Sequence, residues 1–515
     1  MNTRIKIIKY VIVILFLTIT TLFQRVSAQK DVTYSSDWGE KLPSFPNHLI
    51  LKSNVVFIHE GMTMTCDSAV FNTKENLINA YRNIHIYQDT LHLYGDEFFY
   101  DANIKVAEVF GDTVTLHDGK ITLQTDYMVM DREVQTVRYT THADIWDEEN
   151  TLESQKGTYL INTKIFEFTD HVILHTPEVK INSDSLFYES KTDIAYFYDK
   201  TDILTKDSIE IYTYKGNYNT KTDQAKLLKD NLIINEKKQL KADTIYYNTK
   251  TEKAKAYNNV YLKDDENQII ANSQYLEKDE KDSIPYIYLT QDIHLKQIEN
   301  QDTLHLHCDT IWVNFDTTMQ AKEMYAYNHV KFYRQDMQGV SDRLYYNVSD
   351  SLVYFLGDPI LWNEANQFTA DTISLKTHKN TVKEMYMYPN VIIAQNSDTT
   401  TTQYFNQISG KKFQAHFVKN KIRFAEIENQ VKTIYYFWEE GKDKPKLTGI
   451  NIGESTKLNL YFKNGKLDKM TAIDQPKFYL DDYGRVEDSQ KNLKGFTWRA
   501  DQRPMSKDDI FKHRN

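Results

Sequence analysis

Apolar and polar residues alternate along most of this chain with a period of two. Segments such as Ile245-Tyr246-Tyr247 and Leu344-Tyr345-Tyr346 are followed by polar runs, Asn-Thr-Lys-Thr-Glu-Lys at 248–253, Asn-Thr-Lys-Thr-Asp-Gln at 219–224 and Asp-Ala-Asn-Ile-Lys-Val at 101–106. A second alternating segment then begins at Asn: Asn83-Ile84-His85-Ile86, Asn259-Val260-Tyr261-Leu262, Asn390-Val391-Ile392-Ile393. Period-two segments separated by Asn/Asp-rich turns, with no sustained 3.6-residue period, predict an all-β chain. Asn and Asp suit the turns because they tolerate left-handed backbone and bond their own chain.

The pattern repeats. Aligned on the residue that opens each first segment, the anchors are Asp67, Asp96, Asp126, Gly157, Asp184, Tyr214, Asp243, Asn272, Asp309, Asp342 and Asp371, eight of the eleven being Asp. Their spacings are 29, 30, 31, 27, 30, 29, 29, 37, 33 and 29 residues, which defines a repeat architecture. The long step contains Lys-Asp-Glu-Lys-Asp-Ser-Ile-Pro-Tyr (278–286), read as a surface insertion. A unit of this length holds two or three ordinary strands. Stacking eleven at two strand spacings each gives a scale of about 100 Å, the scale of a spacer more than of a compact enzyme.

Residues i and i+2 of a strand share a face. The second and fourth residues after each anchor are mostly apolar, so they are assigned to one interior. The expected lining residues are Phe71, Phe98, Tyr100, Met128, Met130, Tyr159, Ile161, Leu186, Tyr188, Ile245, Tyr247, Ile311, Leu344 and Tyr346. The third position is mixed (Tyr246, Trp312, Asn217, Ser374), as an outer face would be. Residues 399–515 depart from the repeat. Thr399–Thr402 mark the change, Lys412–Phe417 and Leu458–Phe462 alternate as strands, each with a turn after it (Lys419–Lys421 and Lys463–Lys466), and a polar tail starts near Asp481. The Asn-Gly of the second turn favours a hairpin.

Composition adds the compartment. Arg4, Lys6 and Lys9, an apolar run from Tyr10 to Phe23, and Val26-Ser27-Ala28 make residues 1–28 a cleavable signal peptide, the run being short for a membrane anchor. No Cys follows the cleavage site, which argues against a lipid anchor. The formal charge is −10, and −14 without the four cations of 1–28, a balance that excludes a general nucleic-acid binder. Among 515 residues are 36 Tyr and 25 Phe but only two Cys, Cys66 and Cys308. Two cysteines eight repeats apart are no disulfide framework and read as isolated thiols.

The Asp-x-apolar-x-Tyr-Asn unit, the Asn-Val-x-Leu strand and the leader resemble the OstA-like family of periplasmic lipopolysaccharide-transport proteins, over roughly residues 50–395. The tail Leu-Lys-Gly-Phe-Thr-Trp-Arg-Ala-Asp-Gln-Arg-Pro-Met-Ser-Lys-Asp-Asp-Ile-Phe (493–511) is similar to that of long OstA-like proteins of Bacteroidetes-type bacteria. The resemblance implies an elongated, twisted, open β-jellyroll, with residues 29–398 as the repeat region, in two or more modules, and 399–515 as a C-terminal β region. It implies that the lining residues above hold lipid A acyl chains. It further implies a periplasmic bridge in a Gram-negative cell, paired by strand edges with an inner-membrane export complex and an outer-membrane translocon. Head-to-tail pairing between copies is an expectation of the same kind. No run of long amphipathic strands expected of an outer-membrane barrel is present, so the resemblance is to the soluble component.

Other chemistry is weaker. A calcium ladder along the Asp column needs converging oxygens and Gly-rich loops, so the Asp residues are read as turn caps. His305-Leu306-His307-Cys308-Asp309 puts two His on one face and Cys on the other, without a second ligand cluster for zinc, so no metal site is assigned. There is no nucleotide, serine-hydrolase or zinc-protease motif, and neither enzymatic activity nor a cofactor is expected. Two alternatives stand beside the carrier: a filled structural or adhesive β-solenoid, and a β-helix enzyme acting on carbohydrate.

Overall fold

The computed structural model describes residues 32–512 apart from 299–301, 379–380, 398–402, 440–444 and 464–465. The leader, the Thr399–Thr402 tract and the Asn464-Gly465 turn lie outside the described residues. The fold is all-β, an open antiparallel jellyroll built from the ~29-residue repeat, with helical geometry confined to four short 3₁₀ turns among the described residues. It divides into two compact units, one ending at Leu174 and one beginning at His175.

In the first unit the strands His48–His59, Met62–Asn72, Leu77–Gln88, Leu91–Asp101, Val106–Asp118 and Ile121–Asp131 follow one another as hairpins. None runs straight. The pairing register slips in the middle of each hairpin, between Lys52 and Val55, Thr65 and Ser68, Tyr81 and Ile84. At the slip one strand carries two consecutive left-handed residues, Ser53 and Asn54 (φ 60° and 48°), then Arg82 and Asn83 (64° and 50°). Such a bulge bends the strand sharply. Both arms keep their apolar residues on the concave side: Leu49 and Leu51 before the bend, Val55 and Phe57 after it, all buried.

The anchor Asp holds the bend. Asn83 Nδ2 donates to Asp67 Oδ2 at 2.8 Å, and Asn54 Nδ2 to Asp37 Oδ2 at 2.7 Å. In the second unit Asn259 donates to Asp243 at 2.9 Å, Asn390 to Asp371 at 3.0 Å, and His329 Nδ1 lies 3.0 Å from Asp309. The Asp column therefore does cap backbone turns, but on the neighbouring strand, one bend further along the chain.

The second unit continues the pattern to the C-terminus. Strands Phe405–Gly410 and Lys412–Val418 pair with strands that precede residue 399 (Ile393↔Ile408, Met385↔Ala415). The segment beyond Asp482 is polar in composition but not a free tail. It lies along the outer face of the sheet, where three outward glutamines grip it. Gln407 accepts from Leu493 N at 2.8 Å and donates to Asn492. Gln367 accepts from Arg499 N and donates to Thr497 O, both at 2.8 Å. Gln338 accepts from Arg503 Nε at 2.8 Å. The strap buries Val486 and Ile510, and the sheet beneath it is buried on both faces, Ile360–Asn363 included.

Because Asn259 sits at φ 50°, Asn259→Ala and Asn259→Gly both lose the clasp to Asp243, and only Ala also strains the backbone. The expected urea-unfolding stability of the Ala variant is about 1–2 kcal/mol below that of the Gly variant. Equal stabilities would remove the bend from the list of sequence-determined features.

Candidate functional site: the apolar interior and its lips

The alternation that folds each arm also decides what the interior holds. Twelve of the fourteen expected lining residues are buried on the concave side: Phe71, Phe98, Tyr100, Met128, Met130 and Tyr159 in the first unit, Leu186, Tyr188, Ile245, Tyr247, Ile311 and Leu344 in the second. Tyr246, between two of them, is 40 % exposed. Two expectations are corrected to half-buried. Ile161 lies past the end of the strand Lys156–Leu160, in the turn that follows, so strand alternation does not reach it. Tyr346 is one residue from the end of the strand Met337–Asn347, where the lip is thinly covered.

The bends bring the two ends of the six long strands of the first unit toward one another. One end forms a lip of longer turns (72–76, 101–105, 131–135, 161–164), the other a lip of tight turns (60–61, 89–90, 119–120). Among the described residues no strand pairing joins these lips. Side chains do. Tyr100 OH lies 2.7 Å from His59 Nδ1 and accepts from Arg132 Nη1 at 3.2 Å. Arg132 Nη2 donates to the Glu60 carbonyl at 3.1 Å and to Gln88 Oε1 at 3.4 Å. Lys105 pairs with Glu60 at 2.9 Å. Asp118 receives Tyr159 OH and Lys164 Nζ, each at 2.5 Å, and Thr90 Oγ1 at 2.6 Å. The inward tyrosines thus carry their rings in the apolar layer and their hydroxyls in a polar seam.

Two family models match the chain. One, described as OstA-like protein, matches residues 39–184 and 178–272; the other, LptA/(LptD N-terminal domain) LPS transport protein, matches 259–381. The chain belongs to this OstA-like, LptA-like lipopolysaccharide-transport family. A crystal structure of LptH from Pseudomonas aeruginosa, the LptA homologous periplasmic component of the lipopolysaccharide transport device, is 12 % identical over 27 % of this chain and 82 % of that one. Its TM-score is 0.15, too low to support any part of the fold described above. No curated protein matches.

The OstA-like chain spends buried charge on its seam, and the electrostatics show which way each group leans. Burial works against the Asp118 carboxylate, yet the bonds from Lys164, Thr90 and Tyr159 together hold it below its ordinary range. Burial and the Asp118 charge push the Tyr159 phenol far up, so it stays a donor. In the second unit burial pushes Tyr218 up to about 12, its hydroxyl bonded to Thr249 of the longer-turn lip and Thr176 of the tight-turn lip. Tyr247 OH is buried there without a hydrogen-bond partner. The seam residues His59, Glu60, Lys105, Asp118, Arg132 and Lys164 were not among the sequence-derived candidates. Glu60, Lys105, Arg132 and Lys164 sit in turns and His59 and Asp118 are the last residues of their strands, where the alternation ends; their signal is one basic side chain in each of three successive longer turns, facing an acceptor at the tight-turn lip.

The other sequence candidates resolve simply. His305 and His307 share a face with His294 (His294 Nε2 to His305 Nδ1, 3.0 Å), and Phe511 of the strap meets His294 and His307 edge to face, with ring centroids 5.0 Å apart. Burial pushes His294 down to about 4, so the array is neutral at ordinary pH. Among the described residues no His, Cys, Asp and Glu group has metal-binding geometry. Cys66 and Cys308 are buried and free, and burial pushes the Cys66 thiol up to about 12.

A carboxyl depressed in the folded state stabilises it above the unfolded pKa, and that contribution is lost as pH falls through the folded one. The seam of the first unit is therefore expected to weaken as pH drops below the ordinary carboxylate range. Asp118→Asn is expected to cost about 2 kcal/mol at neutral pH and to flatten the acid limb of the stability profile. Chemical denaturation from pH 7 to pH 3 reads both; an unchanged acid limb in the variant contradicts the assignment.

Proposed function

We propose that the chain is a non-enzymatic lipid carrier of the periplasm, which holds the acyl chains of lipopolysaccharide between the arms of its jellyroll while the charged sugar stays in water. The supporting observation is the construction of the mouth: a continuous apolar row within each unit, and in the first unit lips joined by side chains alone. Opening such a mouth breaks no backbone ladder. The magnitudes allow it. The seven seam bonds to Arg132, Lys105 and Asp118 contribute about 1.5–3 kcal/mol each, a sum of the order that burying one to two ~12-carbon acyl chains returns, at roughly 10 kcal/mol per chain and about 0.8 kcal/mol per CH₂. Passage is passive, and the energy that gives it direction comes from another protein.

Hand-over proceeds through strand edges. Among the described residues Thr33–Ser35 and Trp38–Lys41 pair on one side only, with His48–His59, and Lys466–Ile473 and Lys477–Asp482 pair only with Lys446–Lys463. Phe478, Tyr479 and Leu480 of the last strand are 49 %, 55 % and 64 % exposed, an unusual display for a free edge. Edges of this kind accept a partner strand by β-augmentation. We assign them to the inner-membrane export complex, the outer-membrane translocon or a second copy of the chain.

One observation favours a second reading, a filled structural solenoid. The inward side chains pack against one another to near-complete burial. In-cell photocrosslinking separates the two. With a photoreactive residue in place of Tyr247, lipopolysaccharide adducts are expected; in place of Tyr246, none. Adducts at neither position, in a folded and exported protein, would establish the filled solenoid instead.

A further inference from the structure

Arg132 is the odd member of the seam. It is 6 % exposed, and its Nε has no hydrogen-bond partner. Its other nitrogens meet only neutral oxygens: the Tyr100 hydroxyl at 3.2 Å, the Glu60 carbonyl at 3.1 Å and Gln88 Oε1 at 3.4 Å. Among the described residues no carboxylate lies within ion-pairing distance of it. A guanidinium is always charged, and burying one without a counter-charge is costly unless the site serves an anion. Its neighbours on the same lip are Lys105 and Lys164, one cation per longer turn. The acceptors that face them lie on the tight-turn lip opposite: Glu60 in a turn, Gln88 and Asp118 at the last residue of a strand. The longer-turn lip is thus a basic row at the rim of an apolar interior, and the tight-turn lip is its stopper.

We propose that this row is an anion site for the head group of an amphiphile, and that the ligand's phosphate takes the place of the stopper when the mouth opens. The proposal rests on the lipid-carrier reading. The exchange conserves charge: Lys105 and Lys164 trade a carboxylate for phosphate oxygens, and Arg132 gains the counter-ion it lacks. Phosphate is the matching chemistry because the guanidinium fork binds two of its oxygens while a lysine on either side takes the rest. Tyr100, released from Arg132, stays at the rim with its partner His59. The acyl chains then lie where the inward side chains of Phe98 and Met128 now pack.

Calorimetry on the full exported chain tests this with three probes: dodecyl phosphate, dodecylphosphocholine and inorganic phosphate. Wild-type protein is expected to bind dodecyl phosphate most tightly. Arg132→Gln is expected to weaken dodecyl phosphate at least about tenfold and to weaken dodecylphosphocholine, a diester with a single negative charge, by less. Arg132→Lys and Lys105→Gln are expected to give smaller losses, and they carry the test should Arg132→Gln not fold. Equal binding of dodecyl phosphate to wild type and all three variants overturns the anion site and leaves the lipid reading standing. Inorganic phosphate bound as tightly as dodecyl phosphate overturns the head-group assignment in favour of a free-anion site. Failure of every amphiphile to bind removes the carrier reading itself, and this inference with it.

Discussion

The bend in each strand is the constraint from which the rest follows. In strands such as His48–His59, Leu77–Gln88 and Ala254–Asp264 a pair of left-handed residues, held by an Asp–Asn clasp, turns an ordinary hairpin into a folded one. Only then can a single strand supply both walls of an interior, and only then do its two ends meet. Without the bend, the alternation of Leu49, Leu51, Val55 and Phe57 would make a flat two-faced sheet with one side wet. With it, both arms face one another and the apolar row is enclosed. The Asp residues that recur with the repeat are the visible trace of this device, and their role is geometric rather than catalytic.

Enclosure creates a second problem, which the lips solve. A jellyroll whose edges were joined by a backbone ladder would be closed for good. The first unit instead joins them by a polar seam in which His59, Tyr100 and Arg132 form one cluster and Asp118, Tyr159 and Lys164 another. Both clusters consist of side chains, so they can part without breaking a backbone ladder. The same tyrosines serve two layers at once, ring inward and hydroxyl in the seam. In the second unit the C-terminal strap adds a cover of a different kind, over the outer face. There the outward row Gln338, Gln367 and Gln407 is buried under chain rather than open to solvent.

Much of this is legible from the residues. Strand alternation places Met128, Ile245 and Tyr247 inside and Tyr246 outside without any coordinates, because each arm obeys period two. It fails at Ile161, where the strand stops one residue early, and at Tyr346, where the lip gives little cover. The clasp was half visible: the Asp recurs with the repeat, but its partner is the Asn of the next bend, a pairing between strands that local turn chemistry does not announce. Of the seam, only Tyr100 and Tyr159 are legible from strand alternation; the other members occupy turns or the last residues of strands and meet only after folding. The strap escaped because its composition is polar, and the glutamines that hold it look like ordinary outward residues of a β-strand.

The central claim is that the lips of the first unit are closed by side chains and separate around an amphiphile. Spin labels at Asp89 on the tight-turn lip and Glu133 on the longer-turn lip, both exposed, would report the gap directly, with Cys66 and Cys308 replaced by Ala. Pulsed dipolar spectroscopy is expected to give one narrow, short distance in the free protein. Adding a long-chain amphiphile should shift it outward, and removing the amphiphile should restore it. An unchanged distance distribution at saturating amphiphile would contradict the account and leave the jellyroll a closed structural element.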